Sequence, residues 1–473
     1  MRHFRFKYLE EIEECARLVG AAHVRFEHDR QKVRTLLARK VRVGNFTLGN
    51  SIAIHPMEGC DGTPEGRPDD LTWRRYRRFA SGGAKLLWFE ATAVRGDGRA
   101  NPRQLWLRPQ TMADFARLLE AVRREHAQCA GSSDDLLEVL QLTHSGRYSA
   151  GRRVIACHNP AVDCKTGVPA DYPVISDDDL ERLEDDFVEA ARLAADAGFR
   201  AVDIKATHGY LASELLAARS REGRYGGPLE NRARFLQNVV GKIRSVVGDR
   251  LMLCVRLGCF DGVPYTAEPT TGVGVPVEHP VPYSDSFGVD RNNPAREDLT
   301  EVKQVIGWLA GWGVQLLNVS LGVPYLNPHI GRPFEKPDEG NYEQPEHPLL
   351  GVDRHFRIAG ELQRAFPALP MAGTGYSWLQ KFMINAAAHN LESGGIRVFG
   401  AGRGALPYPD FALDALTKGE LDERRVCKTL TYCSYLMRRR NHPLGQFPTG
   451  CVPFDKRVYG PILKQARESE RRH

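Results

Sequence analysis

Residues 201–235 read AVDIKATHGYLASELLAARSREGRYGGPLENRARF, and the opening seven decide how the chain is to be folded. Ala201–Thr207 is a short apolar run that closes on Lys205 and His208, with Tyr210 two residues further on. Runs of this kind recur from residue 51 onward. The strand candidates are Ser51–Met57, Leu86–Val94, Glu138–His144, Ala201–Thr207, Leu251–Gly258, Val314–Gly322, Leu369–Gly375 and Ile396–Arg403, with helical stretches between most of them. Short apolar strands alternating with amphipathic helices specify a parallel sheet. Eight such units favour a (β/α)₈ TIM barrel of the α/β class over an open sheet. No GxGxxG follows any strand, so a dinucleotide-binding Rossmann domain is not indicated.

Two helices carry readable starts. Thr111 stands as an N-cap with Asp114 at the third helical position, ahead of Met112, Phe115, Leu118, Leu119 and Val122 on one side. Ser176 repeats the arrangement with Asp179, then Leu180, Leu183 and Phe187, and Gly198 supplies the stop. The first forty residues read as helix, with Leu9, Ile12, Cys15 and Leu18 at roughly helical spacing; Arg34 to Arg42 is basic. The expected organisation is therefore a helical extension over 1–40, a barrel over 41–418 and a helical tail over 419–473. Three connections, Ser145–Ile175, Phe260–Asp298 and Val323–Leu350, far exceed the usual ~4–6 residues. In a barrel they rise on the C-terminal rim, where they either cover a sizeable pocket or are tolerated insertions.

The 473 residues suit about three small domains or one large barrel with insertions. Sixty-five Lys and Arg against fifty-nine Asp and Glu leave +6, a weak excess that argues against a nucleic-acid partner. The ten cysteines form no CxxC pair, the first residues lack a signal-peptide core, and no window approaches the ~18 apolar residues of a membrane helix. The expectation is a cytoplasmic enzyme with a small-molecule substrate and no membrane partner. A homo-oligomer is left open.

Chemistry concentrates at the strand ends. Gln141 and His144 close the third strand, Lys205 and His208 the fourth, and Arg256 the fifth. Five polar residues at equivalent ends point to a site, because an unpaired buried polar group costs about 1–3 kcal/mol. Strand seven ends in Ala372-Gly373-Thr374-Gly375 and strand eight in Gly400-Ala401-Gly402-Arg403-Gly404. In a barrel those two loops form the usual phosphate site, with glycine admitting backbone N–H groups and Arg403 adding a fork-shaped charge.

Together these motifs resemble the Old Yellow Enzyme family of FMN-dependent barrels, in particular its 2,4-dienoyl-CoA reductase-like NADH:flavin oxidoreductases. The resemblance runs from about residue 40 to 418. It rests on AIHPMEG, QLTHSGR, THGYLASELL, GRYGGPLENRARF, GTG and FGAGR. It implies that Pro56 and Met57 lie along the flavin, and that Gln141 and Arg256 hydrogen-bond its pyrimidine edge. Gly375, Gly402 and Arg403 are then expected to hold the ribityl phosphate. Tyr210 matches the residue that protonates the substrate α-carbon, and His208 the second of two that grip its carbonyl oxygen. The first grip residue is commonly His in relatives, and here it is Lys205. That lysine is a retuned oxyanion clamp, a sign of different substrate chemistry, or a support for the flavin or the fold. Glu58 and Cys60 lie where relatives place a flavin-tuning residue. Glu90 either faces the cofactor or forms a buried salt bridge. His144 and Arg147 resemble a family pair near the pocket, and Tyr148 and Tyr325 are candidate pocket walls.

Larger relatives carry a 4Fe–4S cluster after the barrel. Cys427, Cys433 and Cys451 offer three thiols in poor spacing where a cluster needs four, so neither a cluster nor another metal is expected. The extra domains of those relatives find no room before His473, and Arg438–Arg440 reads as a solvated face. The implied reaction moves hydride from NAD(P)H through flavin N5 to an activated C=C bond. The rivals are a flavin dehydrogenase that oxidises an amine or alcohol, and a binding barrel without flavin.

Overall fold

The computed structural model describes residues 4–338 and 341–471. Eight parallel strands close into a barrel: β1 (Ile52–Ile54), β2 (Leu86–Ala93), β3 (Leu137–Thr143), β4 (Ala201–Ala206), β5 (Met252–Gly258), β6 (Leu316–Ser320), β7 (Met371–Gly373) and β8 (Val398–Ala401), with β8 pairing back onto β1. All but β3 fall inside a run read from the sequence; β3 begins one residue earlier, at Leu137. The other strands are shorter than those runs because pairing stops where the chain turns into the connecting loops.

Period-two alternation sorts each strand into two faces. Outward-facing Val202, Ile204, Leu253, Val255 and Leu257 pack beneath the helices in the main core. Inward-facing Ala53, Leu86, Trp88, Leu137, Val139, Ala201, Cys254, Leu316, Ala372 and Val398 form a second, separate apolar cluster. Val43 and Leu48 join this inner cluster from a hairpin (Val41–Val43 with Phe46–Leu48), which plugs the N-terminal mouth. Continuing the same parity upward turns Gln141, Asp203, Lys205, Arg256 and Asn318 inward. Register completes the placement: Gln141 lies opposite Asp203, Lys205 opposite Arg256, and Arg256 opposite Asn318. The barrel is apolar in its lower half and polar in its upper half.

The three long connections all rise on the polar rim. The first holds the helix Pro160–Thr166, the second the hairpin Tyr265–Ala267 and Gly274–Pro276, and the third the short helix Pro328–Gly331. The second braces the third: Asn327 donates to the carbonyls of Asp261 (2.8 Å) and Val263 (2.9 Å), and the Tyr265 ring packs edge-on against His329.

Several expectations need correction. The first forty residues form two helices, Leu9–Leu18 and Arg30–Leu37, because the Asp29 side chain accepts from the backbone N–H of Gln31 (2.7 Å) and Lys32 and starts a new one. Thr111 precedes the helix Met112–Ala130 without capping it through its side chain; its hydroxyl donates to the Trp106 carbonyl at 2.7 Å, and Asp114 pairs with Arg67 and Arg117. The tail forms two helices, Tyr432–Arg438 and Lys456–Glu470. Its Arg438–Arg440 run is no solvated face, since Arg438 pairs with Asp338 and Arg439 with Glu470. Among the described residues no helix is long and apolar enough to cross a membrane.

Ser176 does cap the helix Asp177–Asp196, accepting from the Asp179 N–H at 3.1 Å. Ser176→Ala is expected to cost about 1 kcal/mol of stability, read as a lowered urea midpoint at unchanged slope.

Candidate active site

The inward-facing polar layer forms the floor of a cavity of about 440 Å³ that opens on the C-terminal rim. Pro56, Met57, Gln141, Lys205, His208, Tyr210, Arg256, Gly375, Gly402 and Arg403 all line it. Sequence positions from six of the eight strand ends are thus brought to one place.

Glu90 is not among them. Its carboxylate pairs with Arg75 and accepts from the Gly59 N–H at 2.7 Å; Arg75 also pairs with Asp61, which takes a 2.7 Å hydrogen bond from Thr72. Of the two readings offered for Glu90, this is the buried salt bridge. Arg147 likewise pairs with Asp163 and Glu214, away from the cavity, and His144 stands near Asp97.

At one end of the floor, the Asp203 carboxylate accepts from Gln141 Nε2 (2.6 Å) and Trp88 Nε1 (3.1 Å). Burial pushes its pKa up to about 6 against these donors and the nearby Arg256. Arg256 is pulled down to about 10 by the same burial, with Asp203 opposing. It remains a cation, and its shielded Nε has no hydrogen-bond partner. His55, one residue past β1, donates from Nε2 to the Gly373 carbonyl (3.1 Å) while Asn318 Nδ2 donates to its Nδ1 (3.1 Å). Burial holds that imidazole neutral, with a pKa lowered to about 3.

The opposite end is cationic. Arg403 donates to the Pro333 carbonyl and keeps a shielded Nη1 without a partner. Arg332, from the proline-rich connection, donates to the Ser434 hydroxyl, and its shielded Nε is also without a partner. Arg438 stands close enough to depress the Arg332 pKa by like-charge repulsion, after burial, to about 10. Gly375 adopts φ +93°, and a side chain there would come within 2.7 Å of the His355 ring. At Gly402 a Cβ would meet only Met57 Sδ at 3.7 Å and His55 Cβ at 3.9 Å, both ordinary contacts. Guanidinium donors lacking an acceptor, beside backbone with no side chain, make a receptor for an anionic oxygen cluster.

Between the two ends lies a tyrosine stack. The rings of Tyr148 and Tyr325 overlap at 4.1 Å, and the Tyr325 hydroxyl is 3.1 Å from that of Tyr210. Tyr210 donates to Glu58 Oε1 at 3.0 Å, and Lys205 Nζ donates to the same oxygen at 3.0 Å. Burial, then the Glu58 charge, raises the Tyr210 pKa well above the usual phenol value. His208 is held at φ +67°, a left-handed conformation costing about 1–2 kcal/mol for an L-residue. That turn aims its ring into the cavity, with Nε2 3.2 Å from the Ser320 hydroxyl. Burial depresses its pKa far below the usual value, and Arg256 and Lys205 add to the effect.

The residues present fit a flavin mononucleotide. A polar donor pair, Gln141 and Arg256, stands at one end of the floor, and at the other stand two guanidiniums, each with one shielded nitrogen lacking a partner. Residues 39–270 match the NADH:flavin oxidoreductase / NADH oxidase family. An NADPH dehydrogenase of Geobacillus sp. (strain WCH70) is 32% identical over 266 residues, covering 54% of this chain and 72% of that protein. The chain belongs to this family.

Like other NADH:flavin oxidoreductases, it is an FMN-dependent enzyme that draws on NAD(P)H. Among solved structures, the old yellow enzyme homologue of Zymomonas mobilis has a TM-score of 0.57 at 20% identity, covering 82% of this chain and 94% of its own. A 2-naphthoyl-CoA reductase has a TM-score of 0.62 at 17% identity, covering 85% and 55%. At these identities the likeness concerns the fold.

Sequence reading missed His55, Asn318 and Asp203, although strand parity with Gln141 and Lys205 would have found the last two. It also missed Arg332 and the whole contribution of the tail, where Cys433, Ser434, Met437, Arg438, Gln446 and Thr449 line the cavity. Cys427, Cys433 and Cys451, remote in sequence, line one small neighbouring cavity of about 30 Å³ with Arg403. Among the described residues no group of three or more His, Cys, Asp or Glu is placed to hold a metal.

Arg75→Met would leave Asp61 and Glu90 as facing buried carboxylates. The expected loss is about 3–5 kcal/mol in urea denaturation, since a buried pair broken on one side leaves an uncompensated charge.

Proposed function

We propose that this enzyme reduces an activated C=C bond, with Tyr210 as proton donor and His208 as the grip on the substrate's carbonyl oxygen. Bound FMN would supply the hydride-transfer chemistry between NAD(P)H and the alkene β-carbon. Gln141 and Arg256 would hold its pyrimidine edge, with the charge of Arg256 favouring electron uptake; Arg403, Arg332, Gly375 and Gly402 would take the phosphate, and Pro56 and Met57 would lie along the ring.

The observation that carries this reading is the placement of Tyr210 and His208. Both leave the turn after β4 and line the same cavity as Gln141, Arg256 and Arg403. Tyr210 keeps its proton until a base appears because burial and Glu58 both oppose its ionisation. His208, neutral for the same reason of burial, donates a hydrogen bond without adding net charge. The tyrosine rings wall the cavity and exclude water from the carbon that is to be protonated. The only carboxylate lining the cavity among the described residues, Glu58, is already paired with Lys205, which disfavours an amine cation as substrate. The tail belongs to the same catalytic unit as the barrel in this reading, since Ser434 positions Arg332.

Tyr210→Phe is expected to slow alkene reduction by about 100-fold or more, with the loss confined to the alkene step of a stopped-flow experiment. Equal loss in flavin reduction by NAD(P)H would remove Tyr210 from the role. Arg332→Met removes a charge-assisted donor worth about 1.5–3 kcal/mol, so FMN should bind roughly 10- to 100-fold more weakly. Riboflavin, without the phosphate, should be little affected in the same fluorescence titration, and equal weakening of both ligands would argue against a phosphate contact.

A further inference from the structure

One carboxylate oxygen in the cavity serves two donors. Glu58 Oε1 accepts from Lys205 Nζ and from the Tyr210 hydroxyl, each at 3.0 Å. The ammonium also lies 3.6 Å from the centre of the Tyr210 ring. The side chains of Lys205 and Glu58 are only 4% and 11% exposed. Lys205 therefore faces the tyrosine and its acceptor, with one of its donors committed to Glu58.

The charged and titratable groups around this pair are few. Glu58, Asp203 and Arg256 act on Lys205; Glu58, Tyr325 and Lys205 surround Tyr210. If Tyr210 gives up its proton, a phenolate is left 3.0 Å from the Glu58 carboxylate. Two adjacent anions out of water are costly, and the nearest available proton is on the Lys205 ammonium, one oxygen away.

We propose that Lys205 is the proton reserve of Tyr210, connected to it through Glu58. Tyr210 O–H breaks as C–H forms on the substrate α-carbon. A proton then leaves Lys205 Nζ, passes by way of Glu58 to the phenolate oxygen and restores Tyr210, leaving a neutral amine. Water reprotonates that amine once product has departed. Lys205 and Glu58 are positioning residues here, acting through Tyr210 and not on the substrate. The direction of transfer is downhill: burial lowers the Lys205 pKa, while burial and Glu58 raise that of Tyr210. This inference rests on the alkene-reduction reading above.

The test uses the FMN-loaded full-length enzyme, reduced anaerobically with NADPH and mixed with 2-cyclohexen-1-one from about pH 6 to about pH 10. The wild-type reoxidation rate is expected to fall on the alkaline side, below the ordinary lysine range, as the ammonium is lost. Lys205→Arg keeps the charge and the donors toward Glu58 but does not release a proton. Its rate at saturating enone should drop about tenfold or more, with KM nearly unchanged and the alkaline fall abolished. A Lys205 that gripped the substrate oxygen would be rescued by arginine, so a wild-type rate and pH profile in Lys205→Arg overturns the proposal. Glu58→Gln interrupts the bridge while keeping the lysine at 205 and should show the same loss; it decides the matter if the arginine variant does not fold, and wild-type behaviour in it overturns the proposal. Wild-type enzyme that the enone fails to reoxidise removes the underlying reading, and with it this inference, before any variant is made.

Discussion

The strand register that sets Gln141 against Asp203 and Lys205 against both Arg256 and the carboxylate across the barrel governs the rest of the site. A one-residue slip of β4 would turn Asp203 and Lys205 toward the helices and bring Val202 and Ile204 inward. The apolar lower half prevents such a slip. Ala201 is already packed between Val139 and Cys254 in the inner cluster, so the positions above it have one parity available. The lower half of the barrel sets the register, and the upper half uses the same inward positions to hold charge out of water.

That division explains which features could be read from sequence. Strand β4 was legible because an apolar run ended in Lys205 and His208, where a soluble helix or loop would not place them together. The glycines after β7 and β8 were legible because two such stretches occurred at the two positions where a barrel binds phosphate. Glu58 could be noticed only for its place just past the first strand, where relatives put a flavin-tuning residue. Its pairing with Lys205 exists because closure brings the ends of β1 and β4 across the cavity, and no local pattern encodes that distance. Thr111 shows the converse: the capping pattern was present, but a nearby carbonyl of Trp106 competed successfully for the hydroxyl.

Arg332 and the tail were hidden for a different reason. Arg332 lies in an irregular connection whose path is set by the second rim loop, through Asn327 and the carbonyls of Asp261 and Val263. Ser434 and Arg438 reach the cavity from a short helix whose sequence reads as basic surface. The arginine run was misjudged because charge density alone does not distinguish a solvated face from one that meets Asp338 and Glu470.

The position of Ser434 also bears on how the protein is made. Pairing of β8 with β1 joins the two ends of the barrel, and the Arg332 guanidinium at the cationic end of the cavity is held by a residue further along still. During vectorial synthesis the early strands wait without their closing partner, their inner faces open to solvent or to chaperones. On the reading proposed above, the cofactor site is complete only once the segment around residue 434 has cleared the ribosome exit tunnel, which puts cofactor capture at the last stage of biogenesis.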